Sequence, residues 1–321
     1  MTRRSHSTDS PQDPGAGLIP SRDGVGASRV AVPPGEWATA LDFLSERLPR
    51  VRRDEWKRRL LANQVFDSDG QPVGPDDPVC AGQHLHYFRD LPDEAPIPFE
   101  EEILFRDEHL VVADKPHFLP VTPGGRFVRQ SLLVRLKRRL GLPTLSPLHR
   151  IDRETAGLTL FAIQPTARDV YHGLFRDRAV EKTYEAIAPA PGAQRFPLLH
   201  RNRIEEDPQA FFRMVEAPGE PNSETWIDLL EVRGPLARYA LRPLTGRRHQ
   251  LRVSMNALGL PIVGDQFYPR VLRGPSEAED FSEPLRLLAR SLRFIDPLTG
   301  RERHFESRRT LDWSPSTGLA V

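Results

Sequence analysis

Apolar residues recur at helical spacing in five segments of the chain. In the first segment Trp37, Leu41, Leu44 and Leu48 lie on one face of a predicted helix that Pro49 ends. The same spacing predicts helices over 52–65, 129–141, 166–177 and 247–259. Gly141 is the predicted stop of the third helix and Gly259 that of the fifth, since helices often end at glycine.

Short runs of apolar and β-branched residues predict strands between these helices. They cover 82–88, 109–116, 157–164, 181–189, 224–232 and 236–244, and Asp69–Gly70 marks a hairpin turn. The strands come in runs and do not alternate regularly with helices. This order favours the α+β class, with a largely antiparallel mixed sheet flanked by helices.

Composition divides the chain into three parts. Residues 1–16 are polar and rich in Pro, Gly and Ser, which predicts a disordered tail. Residues 17–95 hold a small unit, and an acidic, Pro-rich linker, "RDLPDEAPIPFEEE", contains the boundary near 95. We expect residues 96–321 to form the main domain.

Charge and cysteine content narrow the class of protein. A single cysteine, Cys80, excludes an internal disulfide and a cysteine-cluster metal site, and no apolar stretch has the length of a membrane span. We therefore expect a cytoplasmic protein that is monomeric, metal-free and not membrane-bound. The net charge is only +1, yet residues 232–264 contain six Arg and no acid. Such a local basic run is typical of a protein that contacts a polyanion.

The stretch "PLHRIDRETAGLTLF" places one acid in basic surroundings. Asp152 lies between Arg150 and Arg153, His149 precedes it, and an apolar strand follows. An isolated Asp is often a cap or half of an ion pair. Arginine neighbours also keep a carboxylate ionised, and an ionised carboxylate in a dry site acts as base or nucleophile.

Three further segments carry candidate binding residues. In "PLTGRRHQLRVS" a turn precedes Arg247, His249 and Gln250, and a helix start with arginines favours anions. Tyr184 of "EKTYEA" is a core or a catalytic side chain. Lys115 of "ADKP" is a surface residue or a contact to phosphate or carboxylate. The ten His show no metal-ligand spacing.

These motifs together resemble the RluA-type pseudouridine synthases. "HRIDRETAGL" is similar to the family's HRLD-x-x-T-S-G-L signature, and "ADKP", "TPGG", "EKTYEA", "LTGRRHQLRVS" and "LPIVGDQFY" occur in the family's order over about 97–308. The unit over 36–90 resembles, more loosely, the S4-like RNA-binding module. The resemblance implies the pseudouridine synthase fold and a cofactor-free isomerase that converts uridine to pseudouridine in ribosomal or transfer RNA.

The resemblance also implies roles for individual residues. Asp152 matches the essential carboxylate, Tyr184 the aromatic residue of the site, and Arg252 the basic partner of the aspartate. Arg150 matches the residue that fills the gap left by a flipped nucleotide, and His149 shares its loop. Lys115, Arg247, His249 and Gln250 remain candidates for RNA contacts.

Departures from the family pattern leave these positions intact. Ile151, Ala156, Arg248, Ser254 and Leu288 stand where relatives carry Leu, Ser, Thr, His and His, which bears on the substrate more than on the activity. Two other classes compete with this interpretation. A non-catalytic RNA-binding protein would not need the Asp152, Tyr184 and Arg252 set. A glycoside hydrolase normally needs two facing carboxylates, and the sequence suggests one acid in the site.

Overall fold

The computed structural model describes residues 24–88, 94–274 and 277–314, so the predicted tail over 1–16 lies outside the described residues. The chain divides into two units, Met1–Asp93 and Glu94–Val321. No helix within the described ranges is long and apolar enough to cross a membrane.

The first unit packs two helices against a small antiparallel sheet. Its elements are β1 (Ser28–Ala31), α1 (Ala40–Arg47), α2 (Arg53–Leu61), β2 (Val65–Phe66) and β3 (His84–Tyr87), with β3 between β1 and β2. Phe43, Leu44 and Trp56 are fully buried between them. The helix predicted from Trp37 begins at Ala40, because the Thr39 hydroxyl accepts a hydrogen bond from Asp42 N and caps it.

The second unit is built on one large sheet. Its strands are β4 (Glu102–Arg106), β5 (Leu110–Lys115), β6 (Ser146–Pro147), β7 (Ala156–Ala162), β8 (Glu181–Pro189), β9 (Leu198–Glu206), β10 (Met214–Ala217), β11 (Ser223–Arg233), β12 (Leu236–Pro243), β13 (Leu287–Ile295) and β14 (Glu302–Glu306). Its helices are α3 (Leu132–Leu140), α4 (Arg168–Arg176) and α5 (Gln250–Ala257).

Strand order keeps the most apolar segments away from the edges of the sheet. The main path runs β10-β9-β11-β12-β8-β13-β7-β5-β4, and every residue of β5 and β7 is buried. Within the described residues β13 and β7 pair in parallel, and the other strand pairs are antiparallel. The predicted α+β class and largely antiparallel sheet are thus confirmed.

Two features differ from the predicted elements. The helix predicted from Arg247 begins at Gln250, since His249 has a φ of 52° and cannot join the helical turn. Strands β1, β4, β6, β9, β10, β13 and β14 were not predicted. The predicted stop at Gly141 is confirmed, with a φ of 65° at the end of α3.

Pairing across the sheet centre fixes where the predicted site residues meet. Gly157 of β7 lies opposite Ala289 of β13, and Ala289 lies opposite Tyr184 of β8. The loop that carries Asp152 enters the sheet at Ala156. The strand that follows the Asp152 loop, β7, and the strand that carries Tyr184, β8, are therefore separated only by β13.

Candidate active site

A cleft of about 750 Å³ collects the predicted catalytic residues. Asp152 comes from the loop before β7, Tyr184 from β8 and Arg252 from α5, and all three line this cleft. Arg150, His149, Arg247, His249 and Gln250 line it as well. The structure thus brings together eight of the nine predicted site residues, and the exception is Lys115.

Arg252 is the electrostatic centre of the site. Its side chain is 1% exposed, and its Nε and Nη2 donate to the two Asp265 oxygens at 2.8 and 2.7 Å. Its Nη1 lies 3.4 Å from Asp152 Oδ2 and 3.8 Å from Glu154 Oε2. Burial by itself lowers the pKa of Arg252, but Asp265 and the other two carboxylates outweigh it and raise that pKa. The guanidinium is permanently charged.

Glu154 and Asp265 correct the expectation of a single acid in the site. Both are bound to the same guanidinium as Asp152, so three carboxylates share one buried cation. Asp265 has no exposed side-chain surface, whereas Asp152 keeps 25% of its side chain exposed toward the cleft. Of these two, Asp152 is the carboxylate that a ligand in the cleft reaches.

The fully buried Lys115 and the partly buried His117 donate hydrogen bonds to the backbone of the Asp152 loop. Lys115 Nζ donates to Arg153 O at 3.0 Å, and also to Pro116 O and Leu119 O. His117 Nδ1 donates to Glu154 O at 2.7 Å. Burial lowers the pKa of Lys115 to about 7 and that of His117 to about 4. The loop is therefore fixed before any ligand arrives.

Lys115 does not fit its predicted role as an RNA contact. The side chain is fully buried and its ammonium faces three backbone carbonyls. The three carbonyls replace the hydration shell that the ammonium group loses on burial. We reassign Lys115 from substrate contact to positioning of the loop.

His149 anchors the other end of the same loop. Its Nε2 accepts a hydrogen bond from Leu160 N at 3.2 Å, and its ring stacks on Phe175 with the ring centres 4.7 Å apart. Burial lowers the pKa of His149 to about 3, and Lys182 adds to this effect. The imidazole is neutral at physiological pH and fixes the approach of the chain to Asp152.

Tyr184 presents its phenol to the cleft. Burial raises its pKa far above the usual value, and the Asp152 carboxylate raises it further. The hydroxyl therefore keeps its proton at neutral pH. A phenol in this state donates hydrogen bonds and offers an apolar ring face, but it does not supply a phenolate base.

The turn before α5 is organised by Gln250. Its amide oxygen accepts from Arg247 N and Thr245 Oγ1, and its amide nitrogen donates to Glu224 O and Thr225 Oγ1. Since the amide is occupied on both sides, Gln250 fits a positioning role and not the predicted RNA contact. Arg247 remains exposed at the edge of the cleft.

His249 is buried at the junction of the turn and the helix. Its Nδ1 is 3.1 Å from Tyr268 Oη and its ring stacks on Phe267. Burial lowers its pKa to about 3, with help from Arg252 and Arg248. Like Gln250, His249 fits a positioning role better than the predicted contact to RNA.

Basic side chains surround the carboxylate. Besides Arg150 and Arg247, the cleft is lined by Arg153, Arg176, Arg178, Lys182 and Arg248. In the part of the chain that the structure describes, no three His, Cys, Asp or Glu side chains are arranged so that they could hold a metal ion. The lining suits a polyanionic ligand whose reacting part reaches Asp152.

A smaller cavity of about 360 Å³ borders the same loop. Asp152, Arg153 and Glu154 lie on one side, and Phe212, Arg248 and Phe267 on another. Glu279 pairs with Arg153 at 2.5 Å and also with Arg126. The Asp152 loop therefore borders the acidic Glu279 in the smaller cavity, and it borders the open 750 Å³ cleft on its other side.

Three residues that organise the site were not predicted from the sequence. Asp265, Glu154 and His117 contact Arg252 or the Asp152 loop, yet each reads as an ordinary polar residue in sequence. The signal for Asp265 was its place in "LPIVGDQFY", one of the motifs that supported the resemblance. No local pattern marks Glu154 or His117.

Comparisons with known proteins point to one family. A family model described as RNA pseudouridylate synthase matches residues 109–257. An uncharacterized RNA pseudouridine synthase of Synechocystis is 32% identical over 241 residues, which is 71% of this chain and 78% of that protein. The dual-specificity RNA pseudouridine synthase RluA of Escherichia coli is 32% identical over 64% of this chain and 91% of its own length.

A solved structure gives the same answer for the fold. The human RNA pseudouridylate synthase domain containing 1 superposes with a TM-score of 0.52 at 25% identity, over 65% of this chain and 84% of that one. The two bacterial relatives are matched over most of their length, so the likeness is not confined to a short motif. The chain accordingly belongs to the RluA-type RNA pseudouridine synthases, which are isomerases.

Proposed function

We propose that Asp152 is the catalytic carboxylate and that the substrate is a uridine extruded from structured RNA, ribosomal or transfer. The observation that carries this proposal is the contrast between the carboxylates on Arg252. Asp265 is wholly buried and doubly bonded, whereas Asp152 is partly exposed at 3.4 Å and faces the cleft. A carboxylate that its partner orients without occupying all of its hydrogen-bonding positions is available for chemistry.

The reaction exchanges one bond of the nucleotide for another. The C1′–N1 bond breaks, the uracil turns while it stays in the cleft, and a C1′–C5 bond forms. The proton on C5 leaves and N1 gains one, so the product is an isomer of the substrate. Asp152 either attacks C1′ or removes a ribose proton, and in both routes its carboxylate acts in the ionised form beside the Arg252 guanidinium.

Tyr184 and the strand behind it enclose the turning base. The protonated phenol gives a flat wall for the uracil and a donor for its carbonyl oxygens. Arg252 keeps the carboxylate oriented through the turn, because Asp265 holds the guanidinium rigidly. Preorganised charge in a dry site acts more strongly than the same charge in water.

The exposed arginines at the edge of the cleft suit the extrusion of a base from the RNA. A uridine inside a helix reaches Asp152 only after unstacking, which costs a few kcal/mol. The planar guanidinium of Arg150 is exposed beside Asp152 and suits the vacated position in the RNA. Arg247 and Arg248 suit contacts to the neighbouring phosphates.

The first unit adds a separate candidate surface. Its segment 46–60 carries exposed basic residues, among them Arg50, Arg52 and Lys57. We assign this S4-like unit a contact with the RNA backbone, which positions RNA without reading its sequence. Asp42 and Glu55 pair with some of its arginines, so the basic surface is not continuous.

The decisive experiment replaces Asp152 by Asn. We expect pseudouridine formation to be abolished, measured as tritium released from C5 of tritiated uridine in total RNA of cells that lack the gene. Binding to the same RNA should persist, because Asn keeps the shape of the side chain. Asp76→Asn, an exposed change in the first unit, is the matched control and should keep full activity. Activity of the Asp152 variant close to that of the control contradicts the assignment.

A further inference from the structure

Phe211 is the most exposed large apolar side chain in the described part of the second unit. Its exposed fraction is 77%, and it sits in the loop 207–213 between β9 and β10. Single exposed apolar residues are common and need no explanation by themselves. The structure around this residue, however, holds it in one place beside the cleft.

The loop that carries Phe211 is closed by its own backbone. Asp207 N donates to Arg213 O at 3.1 Å, and Arg213 N donates to Ala210 O at 2.8 Å. The Arg213 guanidinium lies over the Tyr268 ring at 5.1 Å and donates to Pro269 O at 3.2 Å. The loop is thus anchored to the segment that follows Asp265.

Arg248 ties the same loop to the cleft. Its Nη1 donates to Phe211 O at 3.1 Å and its Nη2 donates to Phe212 O at 2.8 Å. Arg248 also lines both the cleft and the smaller cavity. The backbone that presents Phe211 is therefore bonded to a side chain of the cleft wall.

A series of ring contacts leads from Phe211 to the catalytic carboxylate. The ring centres of Phe211 and Phe212 are 5.5 Å apart, and those of Phe212 and Phe267 are 5.2 Å apart. The Arg252 guanidinium lies over Phe267 at 5.0 Å and reaches Asp152 at 3.4 Å. Packed rings therefore support Phe211 from one side and leave its outer side to solvent.

We propose that Phe211 is a stacking platform for an unpaired nucleobase of the RNA, next to the uridine in the cleft. This inference rests on the function proposed above. A nucleobase is the occupant that the surroundings favour, since the ring is flat and exposed, and the exposed Arg248 that bonds this loop, with Arg247 next to it in the chain, supplies positive charge for RNA phosphates. Recognition of RNA loops commonly uses bases splayed out onto aromatic side chains.

The test uses the full chain and a defined probe. The probe is a short uridine-rich single-stranded RNA that carries one 2-aminopurine, whose fluorescence falls when it stacks on an aromatic ring. Stacking contributes enough that Phe211→Ala should weaken binding by about fivefold to about a hundredfold and restore the fluorescence. Phe211→Tyr keeps the ring and should behave as the parent, whereas Phe211→Leu should behave as the Ala variant.

Ile295→Ala is the matched control, because Ile295 is also an exposed apolar side chain, at 57%, and lies on β13. It should change neither binding nor fluorescence. Unchanged probe binding and quenching in Phe211→Ala overturns the proposal and leaves another occupant, such as a protein partner, for this ring. Quenching in Phe211→Leu equal to that in Phe211→Tyr also overturns it, since the contact would then not be stacking.

The probe separates this inference from the proposed function. If Asp152→Asn is inactive and Phe211→Ala binds the probe as the parent does, the stacking platform fails alone. If Asp152→Asn is fully active, the catalytic assignment fails, and the probe still reports on Phe211 because stacking needs no chemistry.

Discussion

Replacing Gly157 by Ala tests how closely the two strands behind the Asp152 loop approach each other. Gly157 has a φ of 109°, and a Cβ there would lie 2.3 Å from Ala289 O and 2.7 Å from Ala289 N. The clash is with backbone at the parallel pair of β7 and β13, so no side chain can rotate out of the way. Backbone strain of about 1–3 kcal/mol adds to about 1–3 kcal/mol for overpacking.

The expected loss of about 2 to 6 kcal/mol is large against a typical domain stability of ~5–15 kcal/mol. Urea unfolding followed by circular dichroism measures it. Gly141→Ala is the matched control, because Gly141 also has a positive φ, of 65°, but a Cβ there meets nothing within 4 Å. Its cost should be only about 1–2 kcal/mol. Equal losses in the two variants would refute the close approach of β7 and β13.

Four other changes follow from the site. Asp265→Asn leaves the buried Arg252 partly unpaired, so the free energy of unfolding in urea should fall by about 3–5 kcal/mol and activity should fall as well. Unchanged stability and activity would contradict the role of Asp265. Lys115→Met removes the donor for three buried carbonyls and should lower both stability and activity, and a variant as active as the parent would exclude loop positioning. Burial lowers the folded-state pKa of His249 to about 3, so on acidification the unfolded chain takes up this proton before the folded chain does. The free energy of unfolding should therefore fall as the pH drops from 6.5 toward 3, by up to about 1.4 kcal/mol per pH unit from this group. His249→Asn should flatten that part of the pH profile, and an identical profile would argue against a buried neutral imidazole. Raising NaCl from about 50 to about 200 mM should weaken RNA binding at least tenfold, and a flat response would show that the arginine-lined cleft does not face phosphates.

Much of the fold was readable from local sequence patterns. The alternating and apolar runs of β5, β7, β8 and β12 and the helical spacing of α3 and α4 depend on neighbours within a few residues. The association of Asp152 with Arg252 also followed from the sequence, because both occur in motifs of one family.

Burial of polar side chains was not readable in the same way. Lys115 and Gln250 look like surface groups in sequence, and only the packing of distant segments turns them inward. Lys115 meets the carbonyl of Arg153, and Gln250 meets β11 through Thr225. Such contacts depend on tertiary structure, so the predicted RNA contacts at these positions became positioning roles.

Strand β13 escaped prediction for a related reason. Its sequence, "LLARSLRFI", mixes apolar and basic residues, because one part pairs with β8 and β7 at the sheet centre and another pairs with β14. Its place between the strands that carry Asp152 and Tyr184 depends on the order of the whole sheet.

That order has a consequence for the synthesis of the protein on the ribosome. Asp152 and Tyr184 are synthesised about halfway along the chain. The strand that must insert between β7 and β8, β13, begins only at Leu287. A nascent chain that has not yet exposed this segment lacks the centre of its sheet and cannot bring the two residues into register. We therefore expect the site to form only after β13 has been made, near the end of translation.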